Sequence, residues 1–252
     1  MPYRFAQENL DYSDYASGRV FYAAPGHPAF PVRLVNEVFQ RCRAIRQNKG
    51  LTDPVSLYDP CCGSAYHLST LAYLHWPEIE TITGSDIDTG ILSFAARNLG
   101  LLTPSGLEKR AQEIEEMFNR YGKTAHAEAA ESVQRFKQQL SEYLPTHPIS
   151  TRLFEADATN SQQMMKALQG RKVDIILADV PYGQLSKWQV SSAETANKSL
   201  LIPMLEALLA ILSSDSIVAI MSDKSQKCDH PQYQRLGHFQ IGKRLVTFLR
   251  PG

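Results

Sequence analysis

The chain has 252 residues, 43% hydrophobic and 21% charged, and its 26 Lys and Arg balance its 26 Asp and Glu. This length and composition bury a sizeable core without disulfide or metal staples, which excludes disorder, collagen-like repeats and coiled coil as the dominant state. Zero net charge excludes a strongly basic nucleic-acid binder as a description of the whole chain, though not a local basic surface. The longest apolar stretch, 200–212, contains Pro203 and Glu206 and falls short of the roughly 20 residues of a membrane span. The start is polar, with Glu8 and Asp11 early, and does not read as a signal peptide. Cys61 and Cys62 are adjacent; with Cys42 and Cys228 they suit neither a C-x-x-C metal pair nor a disulfide framework. Reduced thiols in a cytoplasmic protein, with no metal, are therefore expected.

Along the chain, residues 1–50 open with the turn-rich run Ala24-Pro25-Gly26-His27-Pro28, followed by a helix from Pro31 to about Arg46. Segments rich in β-branched residues then alternate with helix-spaced ones. Strands are expected at 55–59, 80–86, 152–157, 173–179 and 216–221, and helical stretches at 68–76, 91–99, 164–168 and 194–212. Such alternation predicts βαβ units and a doubly wound, mostly parallel α/β sheet in a single domain, residues 1–252. Gly242-Lys243 between two alternating runs in 239–249 predicts a terminal antiparallel hairpin. Residues 104–146 interrupt the rhythm with charged, helix-spaced sequence that Gly122 divides into two helices. This insertion either positions a partner or caps the sheet.

In a doubly wound sheet, ligands bind beyond the carboxyl ends of the strands. Four consecutive predicted strands end in Asp59, Asp86, Asp157 and Asp179, a row of acceptors along one edge. Asp59-Pro60-Cys61-Cys62-Gly63-Ser64-Ala65-Tyr66 is a glycine-containing turn that lets a ligand approach backbone N–H groups at a helix start. The G-x-G-x-x-G fingerprint is absent, which disfavours a dinucleotide enzyme. Asp86 is placed to accept both hydroxyls of a ribose, with Asp88 as its competitor and as the cap of the next helix. Asp157 suits either an adenine amino group or a helix cap. Asp179-Val180-Pro181-Tyr182-Gly183 couples a strand-end carboxylate to an aromatic ring, a pocket able to hold the N–H of a planar base and stack on its face.

These motifs resemble those of class I S-adenosylmethionine-dependent methyltransferases. The first motif spans 59–66, the acidic loop Gly84-Ser85-Asp86-Ile87-Asp88, the adenine motif Glu155-Ala156-Asp157-Ala158, and the last motif 179–182. The run Ala24 to Arg33, the two-cysteine first motif, the insertion and Asp179-Val180-Pro181-Tyr182-Gly183 together resemble the avilamycin-resistance rRNA methyltransferases of the AviRa type, over about residues 3–227. That resemblance implies a Rossmann-like fold with seven strands, S-adenosylmethionine as cofactor, and methylation of a guanine nitrogen in large-subunit (23S) ribosomal RNA.

It implies catalytic roles for Asp179, Pro181 and Tyr182, and cofactor contacts from Asp59, Cys61, Gly63, Ser64, Ala65, Asp86, Ile87, Asp157 and Ala158. Ala65 stands where the family usually has glycine, so its methyl either crowds the cofactor or strains the turn. Arg33 is either a partner for the cofactor carboxylate or an exposed helix arginine. Local basic clusters suggest RNA contacts from Arg41, Arg43, Arg46, Lys224 and Lys227. The expected partner is ribosomal RNA or the large subunit, bound by a monomer without membrane or metal. The alternatives are N-methylation of another nucleic acid or a protein, and a remnant that binds cofactor and RNA without catalysis.

Overall fold

The computed structural model describes the chain except residues 1, 2, 9, 28, 181–199, 225 and 227. Its frame is a seven-stranded sheet built from β1 (Val55–Asp59), β2 (Ile79–Asp86), β3 (Ser150–Glu155), β4 (Val173–Asp179), β5 (Leu212–Asp223), β6 (Tyr233–Ile241) and β7 (Arg244–Pro251). The strand order is β3-β2-β1-β4-β5-β7-β6. Strands β1 to β5 pair in parallel, whereas β7 runs antiparallel between β5 and β6. The expected Rossmann-like α/β fold is therefore present, and so is the terminal hairpin. Gly242 takes φ +59° at its turn, the positive φ that a two-residue hairpin loop demands.

Central strands buried on both faces explain the near-continuous apolar sequence at 55–59 and 173–179. Alternate residues divide between two cores. Leu57, Ile175, Leu177, Ile217 and Ala219 face one, while Tyr58, Ile176, Ala178, Val218 and Ile220 face the other. The first core is covered by α1 (Val32–Gln47), α2 (Tyr66–Leu74), α3 (Thr89–Gly100) and the inserted pair α4 (Pro104–Tyr121) and α5 (Thr124–Tyr143). The second is covered by α6 (Ser161–Leu168) and α7 (Leu201–Leu208). Gly122 separates α4 from α5 with φ +60°, a left-handed cap that glycine adopts without penalty.

Three expected boundaries shift. In place of one helix over 194–212, the described part of that stretch is α7 followed by a 3₁₀ turn, Leu209–Ile211. Leu212 already belongs to β5, which is buried without interruption from Ser216 to Ser222. The third strand stops at Glu155, two residues before Asp157. Among the described residues, no helix is long and apolar enough to cross a membrane.

Candidate active site

The strand order reverses between β1 and β4, so a crevice opens at their carboxyl ends. The loop after β1 forms its floor. Asp59 is fully buried; its Oδ1 accepts the Cys61 N–H at 2.8 Å, and its Oδ2 lies 2.7 Å from His67 Nε2. The latter contact is close but not aligned as a hydrogen bond. With no exposed surface, Asp59 shapes the loop from below. The Cys62 N–H donates to the Ser85 carbonyl at 2.9 Å, tying the loop to β2. That approach needs glycine at Gly84, where a Cβ would sit 2.9 Å from Cys62 Sγ.

Two residues of this loop are left-handed, Gly63 and Ala65, both at φ 53°. No atom of the described residues lies within 4 Å of where a Gly63 Cβ would stand, which leaves the backbone there open to a ligand. Ala65 is fully buried in the first core. Its methyl therefore points away from the crevice, and the departure from glycine appears as turn strain of about 1 kcal/mol. The Ser64 carbonyl is held by Asn98 Nδ2 at 2.9 Å.

Asp86 ends β2 with Oδ2 accepting the Gly63 N–H at 2.9 Å and Oδ1 accepting the Asp88 N–H at 3.0 Å. Burial pushes its carboxyl above the ordinary range, and the two N–H donors oppose that shift. Asp88 takes the capping role, accepting the Gly90 N–H at the start of α3. Ile87, between them, is half-buried. Asp157 Oδ1 accepts both the N–H and the hydroxyl of Thr159. The cap of α6 belongs instead to Asn160, which accepts from Gln162 and Gln163. Ala158 is buried against the second core.

Asp179 ends β4. Its Oδ1 is buried and has no hydrogen-bond partner among the described residues. Burial raises its carboxyl to about 6, while Arg244 and His67 pull downward and Asp59 adds to the rise. The four carboxylates converge on Cys61. Burial lifts its thiol well above the usual value, and Asp59, Asp86, Asp179 and Asp157 all push the same way. Pro181, Tyr182 and Lys227 lie outside the described residues.

Sequence reasoning missed His67 and Arg244 as members of this site. Phe30 neighbours both, its ring centroid 6.1 Å from the His67 ring and 4.9 Å from the Arg244 guanidinium. The signal for Arg244 was available, since the hairpin turn sets it opposite Asp223 at the carboxyl end of β5.

Other basic residues stand elsewhere. Arg43 is buried and bonds Glu78 and the carbonyls of Thr52 and Asp53. Arg46 is buried against Asp174 and the Asp215 carbonyl. These partners lie at the amino ends of β2, β4 and β5, the edge opposite the crevice. Arg43 and Arg46 are thus structural, a correction to the RNA surface expected of them. Arg41 pairs with Glu37 at 2.7 Å and lies 4.1 Å over the Phe239 ring. Arg33 donates to the carbonyls of Ala6 and Gln7 and stacks on Tyr3, so it holds the N-terminal segment rather than standing free for a cofactor. Lys224 is exposed just beyond β5, at the crevice edge. Among the described residues, no group of three His, Cys, Asp or Glu side chains could hold a metal.

The family model described as rRNA methyltransferase AviRa matches residues 1–244. The chain belongs to the AviRa family of rRNA methyltransferases. It is 37% identical over 250 residues to the 23S rRNA (guanine(2535)-N(1))-methyltransferase of Streptomyces viridochromogenes, covering 98% of this chain and 95% of that one. Two crystal structures of rRNA methyltransferase AviRa from the same organism superpose with TM-scores of 0.86 and 0.85, at 33% and 34% identity. Each match covers 98% of this chain and 96% of the other. The AviRa-family fold thus extends over nearly the whole protein.

Proposed function

We propose that this AviRa-family enzyme transfers a methyl group from S-adenosylmethionine to N1 of a guanine in 23S ribosomal RNA. The observation that carries the reading is the buried Oδ1 of Asp179 at the crevice edge, which has no hydrogen-bond partner among the described residues. A buried acceptor without a partner costs free energy that a bound donor recovers.

The residues present fit the cofactor. The open backbone at Gly63, with Cys61 and Ser64 beside it, suits the methionine end. Asp86 retains lone pairs for two ribose hydroxyls beside its two N–H donors. Ile87, Asp157 and Ala158 border the adenine position. The row of carboxylates favours a cation, and the cofactor supplies a methyl already activated by sulfonium charge. Asp59 and Ala65 act from beneath, by holding the loop.

Guanine N1 carries a proton, and its lone pair is delocalised, so alignment alone does not make it a nucleophile. Asp179 accepts the N1–H, and N1 gains the methyl as its proton passes to the carboxylate. A carboxyl poised near 6 is ionised at neutral pH yet basic enough to take that proton. Arg244 and His67 keep it from rising further. Tyr182 is assigned the stacking role on the strength of its motif alone, with Pro181 shaping the turn. The base reaches the pocket by flipping from its stack, at a cost of a few kcal/mol when paired.

The test is methyl transfer from labelled S-adenosylmethionine to unmodified 23S rRNA, followed by primer extension. A methyl on N1 blocks the pairing edge, so reverse transcription should stop one nucleotide before a guanine. Label on transfer RNA or protein, with none on 23S rRNA, would refute the assignment.

A further inference from the structure

The α4–α5 hairpin carries more apolar surface than its packing uses. Along α4, Leu107 and Ile114 are buried in the first core, and α5 answers with Ala129, Val133, Phe136 and Leu140. The α4 stripe continues at helical spacing through Phe118 and Tyr121, yet these residues are 42% and 57% exposed. The stripe overhangs the core. Cations flank it: the Arg120 guanidinium lies 5.9 Å and Lys123 Nζ 6.0 Å from the Tyr121 ring centroid. The His126 ring stands 6.2 Å from the same ring. Neither Arg120 nor Lys123 joins an ion pair among the described residues, whereas Arg19, Arg110, Arg135 and Lys137 around the hairpin all do.

The tip also points the right way. At its far end, Tyr143 of α5 stacks on Trp76, just before β2 at the amino ends of the strands. Moving back along α5, Gln139 donates to the Tyr73 carbonyl and Phe136 meets Tyr15. The Tyr15 carbonyl in turn accepts from Tyr66, which opens α2 directly after the first-motif loop. Helix α5 therefore climbs toward the crevice edge. From Phe136 to Thr124 it continues about 18 Å further at 1.5 Å per residue.

We infer that this tip is a second RNA contact of the enzyme, in which Phe118 and Tyr121 stack on unpaired bases while Arg120 and Lys123 neutralise phosphates. Aromatic rings interleaved with cations are what single-stranded RNA requires, since every base offers a π-face and every link a charge. Glu115 and Glu116, one turn further from the tip, disfavour phosphate there and confine the contact to the last turn of α4 and the link to α5. The inference rests on ribosomal RNA being the substrate. It adds to that reading a contact remote from Asp179, one that holds a neighbouring loop while the target base is flipped.

The experiment compares the wild type with Tyr121→Ala and with Arg120→Glu/Lys123→Glu, using a 23S rRNA domain fragment and two readouts. Steady-state methylation should show KM for RNA raised about tenfold or more in each variant, with kcat, cofactor affinity and melting temperature unchanged. Fluorescence anisotropy reads binding without turnover, so it still reports if the wild type methylates a different substrate. There the double variant should lose about 1.4 units of salt slope, about 0.7 for each phosphate contact on a single strand, and Tyr121→Ala none. RNA affinity within twofold of wild type in both variants would overturn the inference. So would a wild-type dimer that Tyr121→Ala dissociates, since a second copy would then occupy the tip.

Discussion

Asp86 and Gly63 are joined by a 2.9 Å hydrogen bond from the Gly63 N–H to Oδ2. The end of one strand thereby fixes the backbone that opens the neighbouring site. The same carboxylate holds the Asp88 N–H, so its removal loosens the loop and deletes the proposed ribose acceptor together. Asp86→Ala should weaken S-adenosylmethionine binding by at least 30-fold, about 2 kcal/mol. Titration calorimetry measures this directly; unchanged affinity would remove Asp86 from the cofactor site.

Helices α3 and α4 meet where a glycine is required. A Cβ on Gly106 would stand 1.9 Å from the Gly100 carbonyl oxygen, whereas one on Gly100 meets nothing within 4 Å among the described residues. Gly106→Ala must push two backbones apart and disturb the Thr103 cap that receives its N–H. We expect a loss of about 2–4 kcal/mol in denaturant unfolding. Gly100→Ala, the paired control, should be neutral or stabilising by up to about 1 kcal/mol.

Glu37 anchors the N-terminal segment from inside α1. Its carboxylate accepts the N–H groups of Arg4, Phe5 and Ala6 at 2.7–2.8 Å and pairs with Arg41. Burial alone would raise its pKa, but the three N–H groups and Arg41 outweigh burial and hold it below the ordinary value. A folded pKa below the unfolded one stabilises the protein above the unfolded value near 4.3, and that stability is lost as pH falls through the folded one. Glu37→Ala should cost about 3 kcal/mol at pH 7 by stranding buried donors. The gap between variant and wild type should narrow below pH 4 in chemical denaturation. A constant gap would mean that the contacts matter through packing and not through charge.

Much of this architecture is legible because buried parallel strands write themselves plainly. Segments 55–59 and 173–179 could pack nowhere but inside a sheet, and Gly122 and Gly242 mark turns that need positive φ. The row of strand-end aspartates was visible for the same reason, although β3 stops short of Asp157. Counting charges, by contrast, does not tell one edge of a sheet from the other. Arg43 and Arg46 look like a basic surface in sequence, yet they bond Glu78 and Asp174 at the far edge. The Glu37 anchor joins residues about thirty positions apart, and His67 acts through a contact that only the α2 turn creates. The direction of the Ala65 methyl was a matter of backbone handedness, which composition does not carry.

Asp179 links activity to stability in opposite senses. With its carboxyl raised to about 6 by burial, the folded state binds a proton more tightly than the unfolded chain, where the value is near 3.9. Stability contributed by the protonated form is present below pH 4, falls between pH 4 and about 6, and is absent above. Asp179→Asn removes that charge. In the free enzyme at pH 7.5 it should therefore stabilise by about 1–3 kcal/mol, with the advantage shrinking to nothing near pH 4. On the proposed mechanism the same change deprives the guanine N–H of a base, so methyl transfer should drop by about 10² or more while cofactor affinity stays within a few fold. In the wild type, kcat/KM should rise with pH through an apparent value near 6, and the residual activity of the variant should lack that step. Thermal melts and rate profiles over pH 4.5–8.5 decide the matter: a variant that is less stable at neutral pH, or that keeps the step, would show that Asp179 is not the group that titrates.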